Sequence, residues 1–82
     1  MVTLYINPEC PFCIKTVEVA KEVGMPLTVK DVHDPEVSAQ LLRLGGKIQM
    51  PYMTDDATGT SMYESDDIMA YLHANYGKEP VG

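Results

Sequence analysis

The fold is decided by the first strand of the sequence and the motif that follows it, Val2-Thr3-Leu4-Tyr5-Ile6-Asn7-Pro8-Glu9-Cys10-Pro11-Phe12-Cys13. Apolar and polar residues alternate over residues 2–6, which predicts a β-strand. A turn-rich segment comes next, and Pro11 suits the first position of a helix because that position needs no backbone N–H donor. The stretch therefore predicts a strand and a helix joined by a short turn, with both cysteines at the start of the helix.

The spacing of the two cysteines indicates redox chemistry. Cys10 is expected at the helix N-cap and Cys13 one turn further along on the same side, so that a disulfide between them is sterically reachable. Unpaired N–H groups and the helix dipole favour the thiolate at Cys10, which is the form that attacks disulfides. We expect Cys10 to be the catalytic nucleophile and Cys13, the deeper thiol, to resolve the mixed disulfide. Two buried cysteines that merely lie close are the structural alternative.

The rest of the chain alternates strand and helix patterns. Periodicity and turn residues predict a helix over 11–23, a strand over 27–32, a helix from Asp34-Pro35 to Gly45-Gly46, strands over 52–54 and 60–63, and a helix from 65 to about 76. The expected apolar helix faces are Ile14, Val17, Val19, Ala20 and Val23; Val37, Leu41, Leu42 and Leu44; and Ile68, Leu72 and Tyr76 with Ala70 or Tyr71. Residues 78–82 are expected to form a frayed tail. We expect one domain over residues 1–82.

Composition and charge argue against several classes of function. Twelve acidic and six basic side chains give a net charge of −6, so nucleic acid and anionic membranes are not expected partners. No run approaches the roughly 18 apolar residues of a membrane span, and no signal sequence is recognisable. We therefore expect a soluble, cytoplasmic protein, and we expect it to be a monomer. His33 and His73 lack the spacing of metal ligands, so no metal is expected.

Two further motifs indicate a substrate-binding site near the cysteines. A cis bond at Met50-Pro51 would leave the backbone N–H and C=O of Met50 free to pair with an extended substrate, whereas a trans proline opening an edge strand is the ordinary alternative. At Glu64-Ser65-Asp66-Asp67 the start of the last helix offers N–H groups and a hydroxyl to a carboxylate, and acidic side chains to an ammonium. Plain helix capping selects the same residues.

The order of these motifs resembles the glutaredoxins over about residues 1–76. The resemblance depends on Cys-Pro-Phe-Cys after the first strand, Met50-Pro51 before the third, and Ser65-Asp66-Asp67 opening the last helix. It implies an α/β thioredoxin-like fold, with a four-stranded mixed sheet flanked by helices, and glutathione as reducing co-substrate without any other cofactor. The glutathione-binding residues that it implies are Phe12, Lys47, Gln49, Met50, Pro51, Glu64, Ser65, Asp66 and Asp67.

Three features depart from the glutaredoxin pattern, the mildest being Phe12 in place of the commoner tyrosine. Asn7 and Glu9 stand where many members carry a lysine and a neutral residue, and Glu9 is expected to oppose the thiolate unless Lys15 or Lys47 compensates. The pair Glu64-Ser65 resembles the glutathione-binding motif of glutathione S-transferase N-terminal domains. Glutathione recognition is implied by either comparison.

The resemblance implies a thiol–disulfide oxidoreductase that uses glutathione to reduce glutathionylated or disulfide-containing proteins. Three alternatives stay open: a module in which Cys10 and glutathione ligate an iron–sulfur cluster shared by two chains, a redoxin reduced by thioredoxin reductase, and a transferase-like domain without its helical partner. The proline after Cys10 argues against the cluster, because cluster binding in this family goes mainly with a glycine there. The dithiol favours redox exchange over conjugation.

Overall fold

A computed structural model of the chain, which describes residues 1–24 and 26–77, has a four-stranded sheet at its centre. The elements are β1 (Val2–Ile6), α1 (Pro11–Glu22), β2 (Leu27–Asp31), α2 (Pro35–Gly45), β3 (Tyr52–Asp55), β4 (Thr60–Met62) and α3 (Ser65–Tyr76). This is the predicted order, with bounds that differ by a residue or so. The predicted tail at 78–82 lies outside the described residues. Within the described part of the chain, no helix is long and apolar enough to cross a membrane.

The sheet is mixed, and β1 lies inside it. The strand order is β2-β1-β3-β4; β1 runs parallel to β2 and antiparallel to β3, and β4 runs antiparallel to β3. Leu4, for example, pairs with Val29 on one side and with Met53 on the other. The carboxyl end of this inner strand leads directly into the segment that carries Cys10.

The core has two layers, one on each face of the sheet. The first holds Val2, Leu4, Ile6, Cys13, Ala20, Met53, Ile68 and Leu72, which come from β1, β3, α1 and α3. The second holds Tyr5, Val32, Leu41 and Tyr52, with Val37, Met50 and Tyr63 packed against them. Because successive strand residues point to opposite faces, β1 supplies both layers.

The buried face of α1 differs from the predicted one. Ile14 is 45% exposed, whereas Thr16, which was not predicted to be buried, is completely enclosed beside Cys13 and Ala20. The Thr16 hydroxyl donates a hydrogen bond to the carbonyl oxygen of Phe12 over 2.8 Å. Threonine is accommodated there because its one polar group is satisfied within the helix.

The apolar face of α2 is narrower than predicted. On α3, the structure shows which of Ala70 and Tyr71 belongs to the apolar face. On α2, Leu41 is buried, but Leu42 and Leu44 are at least half exposed, so only part of the predicted apolar pattern faces the core. The sheet covers only a stripe of this helix, and residues off that stripe stay in solvent. On α3, Tyr71 packs against the core, whereas Ala70 is exposed.

A buried carboxylate ties α3 to the end of β3. Asp55 is 1% exposed, and its Oδ2 accepts hydrogen bonds from the hydroxyls of Tyr71, over 2.8 Å, and Tyr76. Its Oδ1 accepts the N–H of Ala57 over 3.0 Å. Burial raises the pKa of Asp55, but the bonds from Tyr76, Tyr71 and Ala57 outweigh it and leave that pKa below its usual value. The network therefore stabilises the ionised carboxylate and holds the last helix on the sheet.

Replacing this carboxylate should cost stability. We expect Asp55→Ala to lower the free energy of unfolding by about 1–3 kcal/mol, because two tyrosine hydroxyls and a backbone N–H lose their acceptor. The matched control is Asp56→Ala, which removes an exposed carboxylate next to it and should change stability by less than about 0.5 kcal/mol. Urea unfolding followed by circular dichroism measures both, and equal effects of the two variants would contradict the role of Asp55.

The same network gives stability a dependence on alkaline pH. The hydrogen bond to Asp55, burial, and the charge of Asp55 raise the pKa of Tyr76 from 10.0 to about 12. Since this pKa is higher in the folded state, the contribution of Tyr76 is complete below about pH 10 and is lost as pH rises through about 12. Urea unfolding should show the stability difference between wild type and Tyr76→Phe shrinking over that window. A constant difference would contradict the assignment.

Candidate functional site

Cys10 lies at the end of the short segment that connects β1 to α1. It occupies the N-cap of α1 with extended backbone angles of φ −87° and ψ 122°, and Pro11 takes the first helical position, as predicted. Asn7 shapes the preceding turn, because its carbonyl accepts the N–H of Cys10 over 3.0 Å and its side chain accepts the N–H of Glu9 over 2.9 Å. The turn therefore presents a half-buried thiol at the start of a helix.

The two thiols of the motif differ in chemistry. The N–H of Cys13 lowers the pKa of the Cys10 thiol, partial removal from water opposes this, and the Phe12 N–H and the Cys13 thiol lower it further. Cys13 is fully buried, and burial and the neighbouring Cys10 raise its pKa, although the N–H of Asn7, 3.5 Å from its sulfur, acts in the opposite direction. One thiol is thus activated and accessible, and the other is protonated and shielded.

An open pocket of about 220 Å³ lies beside the start of α1. Its lining comes from three places in the chain: the first turn of α1, the segment between α2 and β3, and the start of α3. The lining residues are Phe12, Gln49, Met50, Pro51, Glu64, Ser65 and Asp66. All seven belong to the nine residues predicted to bind glutathione, so the structure brings most of that set together.

Lys47 and Asp67, the other two predicted binding residues, do not line the pocket. The Lys47 ammonium lies 4.7 Å from the ring centroid of Tyr63 instead, and Asp67 is exposed in the first turn of α3. Whether either residue reaches a ligand stays a prediction.

The Met50–Pro51 peptide bond is cis, so the trans alternative is wrong. Among the described residues, no hydrogen bond outside the helices and strands involves the backbone of Met50. Met50 is half-buried and Pro51 is buried, with both on the pocket wall. The Met50 N–H and C=O are therefore available to a ligand in the pocket.

Among the described residues, no side chain caps the start of α3. Glu64, not Ser65, is the N-cap residue, and its side chain makes no capping hydrogen bond. In the described part of the chain, the N–H groups of Ser65, Asp66 and Asp67 have no protein partner. Glu64 is also the one non-glycine residue described with a positive φ, 65°, a conformation that costs on the order of 1–3 kcal/mol. The strained backbone of Glu64 and the unpaired N–H groups of Ser65 and Asp66 therefore both belong to residues that line the pocket.

The side chain of Glu9 lies beside a histidine. Its Oε1 is 3.8 Å from Nε2 of His33, whose Nδ1 is 3.1 Å from Oδ1 of Asp31. No ion pair between Glu9 and Lys15 or Lys47 occurs in the described residues. The positively chargeable side chain nearest Glu9 is thus the exposed imidazole of His33 and not either lysine.

Solved structures that match this fold include glutathione transferases. A structure of glutathione S-transferase unclassified 2 from Bombyx mori matches with a TM-score of 0.84 at 23% identity, covering 98% of this chain and 38% of that one. A delta-class transferase from Nilaparvata lugens matches at 0.78 and 29%, covering 96% and 38%. Glutathione S-transferase 1-6 from Anopheles dirus matches at 0.77 and 30%, covering 94% and 37%. A search of the curated proteins found no match.

The fold and these matches define a thioredoxin-like α/β protein with a dithiol at the start of its first helix. A family model described as glutathione S-transferase, N-terminal domain, matches residues 4–80. The chain therefore belongs to the glutathione S-transferase N-terminal domain family, to which Glu64-Ser65 pointed. It spans less than two fifths of the length of the solved transferases that it matches.

The asymmetry of the thiols can be measured by alkylation. Near neutral pH, iodoacetamide should modify Cys10 and leave Cys13 unmodified until the protein unfolds, because only the Cys10 thiolate is both favoured and accessible. The rate at Cys10 should rise with pH around a midpoint below that of an ordinary thiol. In Cys13→Ala the midpoint should move upward, since the Cys13 thiol lowers the pKa of Cys10. Mass spectrometry of peptides identifies the labelled site; equal labelling of both cysteines would contradict the assignment.

Proposed function

We propose that this chain is a glutathione-dependent thiol–disulfide oxidoreductase of the glutaredoxin type. The observation that carries the proposal is the pairing of an activated, half-buried Cys10 with a shielded Cys13 one turn away. The pocket beside the start of α1 is lined by seven of the nine residues predicted to bind glutathione, and the family model that the chain matches is that of the glutathione S-transferase N-terminal domain. The dithiol supplies the redox chemistry, and the pocket supplies the seat for glutathione.

The reaction proceeds by two thiol–disulfide exchanges. The Cys10 thiolate attacks the glutathione sulfur of a protein–glutathione mixed disulfide; the S–S bond of the substrate breaks, and the protein thiolate leaves and takes up a proton. The thiolate of a second glutathione then attacks the glutathione sulfur of the Cys10 adduct. This step releases glutathione disulfide and regenerates the Cys10 thiolate. The net reaction converts the mixed disulfide and one reduced glutathione into the protein thiol and glutathione disulfide.

Cys13 provides a second way to resolve the mixed disulfide between Cys10 and glutathione. After losing its proton, Cys13 attacks the Cys10 sulfur, releases glutathione and leaves a Cys10–Cys13 disulfide, which further glutathione reduces. For protein disulfides without glutathione this route clears the adduct between enzyme and target. The raised pKa of Cys13 keeps it protonated and slow until the adduct forms.

The pocket offers each part of glutathione a matching group. The free N–H groups at the start of α3 and the Ser65 hydroxyl suit the γ-glutamyl carboxylate, and the carboxylates of Glu64 and Asp66 suit its ammonium. The Met50 backbone suits the peptide groups around the cysteine of glutathione, and Gln49 suits the glycyl end. These roles support glutathione as co-substrate, with no further cofactor needed.

Conjugation of glutathione to an electrophile is the second candidate function. The observation that favours it is the family match over residues 4–80, together with relatives named as transferases. A transferase needs the thiolate of glutathione itself as nucleophile, whereas a cysteine at the helix start forms a mixed disulfide with glutathione in oxidising steps. The dithiol therefore favours exchange over conjugation.

Turnover of a glutathione mixed disulfide, coupled to glutathione reductase and NADPH, tests the proposal. Wild type should be active, Cys10→Ser should fall to the uncatalysed rate, and Cys13→Ser should keep at least part of the activity because glutathione can resolve the adduct. Each serine variant is the matched control for the other, since both remove one sulfur from the same motif. A parallel assay with an electrophilic aryl halide measures conjugation.

The outcomes separate the two candidates. Disulfide turnover that requires Cys10, together with no conjugation of the aryl halide, supports the oxidoreductase. Conjugation that survives in Cys10→Ser, without disulfide turnover in wild type, would favour the transferase and reject the proposal. Reduction by thioredoxin reductase but not by glutathione would keep the dithiol chemistry and reject the co-substrate.

A further inference from the structure

Tyr63 lies between two walls of the pocket without lining it. One wall is the segment of residues 47–51, here named the α2–β3 segment, and the other is the start of α3, which begins two residues after Tyr63. The Tyr63 hydroxyl donates a hydrogen bond to the carbonyl oxygen of Lys47 over 2.8 Å. The Lys47 ammonium lies over the Tyr63 ring, 4.7 Å from its centroid. One side chain thus holds the segment at its first residue.

This hydrogen bond has no substitute nearby. Among the described residues, it is the one hydrogen bond that joins the α2–β3 segment to the rest of the protein. The segment is irregular, and it carries three of the seven lining residues: Gln49, Met50 and Pro51. An irregular segment with one polar tether depends on that tether, and on packing, for its position.

The ring of Tyr63 is itself held in place. It packs on Tyr52 with ring centroids 4.5 Å apart, in the core layer that includes Leu41. Its edge fits against Gly45 in the last turn of α2, where a Cβ atom would lie 1.8 Å from the Tyr63 oxygen and 2.6 Å from its Cζ. Gly45 leaves the space that the ring occupies, so the hydroxyl reaches Lys47 from a fixed platform.

We propose that Tyr63 is a positioning residue that sets the affinity of the pocket by holding the α2–β3 segment against the start of α3. This inference rests on the proposed glutathione site and goes beyond it, because Tyr63 touches neither the thiols nor the pocket surface. Tyr63 also directly precedes Glu64, the N-cap of α3. One residue is therefore connected both to the α2–β3 segment and to the start of α3. Its role is in binding and not in the reactivity of Cys10.

The test is Tyr63→Phe, which removes the hydroxyl and keeps the ring. We expect the Kd for S-methylglutathione, measured by calorimetry, and the KM for glutathione to rise about three- to tenfold, as loss of one hydrogen bond predicts. The kcat and the rate of Cys10 alkylation should stay unchanged. S-Methylglutathione cannot form a disulfide, so its binding is measured without turnover.

Tyr71→Phe is the matched control. It makes the same chemical change in a tyrosine whose hydroxyl bonds to Asp55 and Thr58, away from the pocket. It should lower stability and leave the Kd and KM unchanged. A merely structural role for Tyr63 would make the two variants alike.

Gly45→Ala offers an independent route to the same effect. The added methyl group displaces the Tyr63 ring and should weaken S-methylglutathione binding in wild type. It should weaken binding less in Tyr63→Phe, where the hydrogen bond to Lys47 that the displacement would break is already absent. Additive effects of the two changes, or an unchanged Kd in Tyr63→Phe while wild type binds, would overturn the proposal alone. If wild type binds no S-methylglutathione, the glutathione site and this inference fail together. Binding without disulfide turnover rejects only the oxidoreductase.

Discussion

The burial of Cys13 against the end of β1 is the contact on which the site depends. The side chain is completely enclosed, and the N–H of Asn7 approaches its sulfur to 3.5 Å. This contact holds the first turn of α1 against the carboxyl end of β1, and the Asn7 turn then leaves Cys10 at the N-cap. The difference between the two thiols follows from one helix turn, because the turn that buries Cys13 exposes Cys10 to the free N–H groups of the helix.

The two core layers contribute different things to the site. The layer formed with α1 and α3 is mostly aliphatic and carries the cysteines, while the layer formed with α2 is rich in tyrosine and supports the α2–β3 segment. The start of α3 is where the two meet, since Tyr63 packs on the α2 side and Ile68 in the opposite layer. At the far end of α3, the buried Asp55 anchors the helix by hydrogen bonds. The start of α3, where the two layers meet, is also one wall of the pocket.

The order of the elements could be predicted because short-range signals mark it. Pro11 and Asp34-Pro35 open helices, Gly45-Gly46 ends one, and the alternation at residues 2–6 marks a strand. The helix faces were less predictable: Leu42 and Leu44 are apolar and exposed, because burial depends on where the sheet lies and not on the residue type. Seven of the nine predicted binding residues line the pocket because three motifs at strand and helix ends converge in this fold.

The residues that sequence reasoning missed depend on partners distant in the chain. In the sequence, Asp55 looks like a turn residue, and only the structure shows that the hydroxyls of Tyr71 and Tyr76 donate hydrogen bonds to it. Tyr63 reads as the end of a strand until Lys47 and Gly45 are known to meet it. Periodicity and capping rules carry no information about such pairs, since each pair joins segments at least 15 residues apart. The hydrogen-bonded cluster of a buried acidic residue and two tyrosines therefore becomes visible only in the three-dimensional structure.

Gly45 leaves the space that the Tyr63 ring fills, so a change at one position alters the cost of a change at the other. A larger residue at position 45 displaces the tyrosine ring, whereas the same change meets less resistance in a chain that already carries a smaller side chain at position 63. The fit therefore favours an evolutionary order in which position 63 changes before position 45.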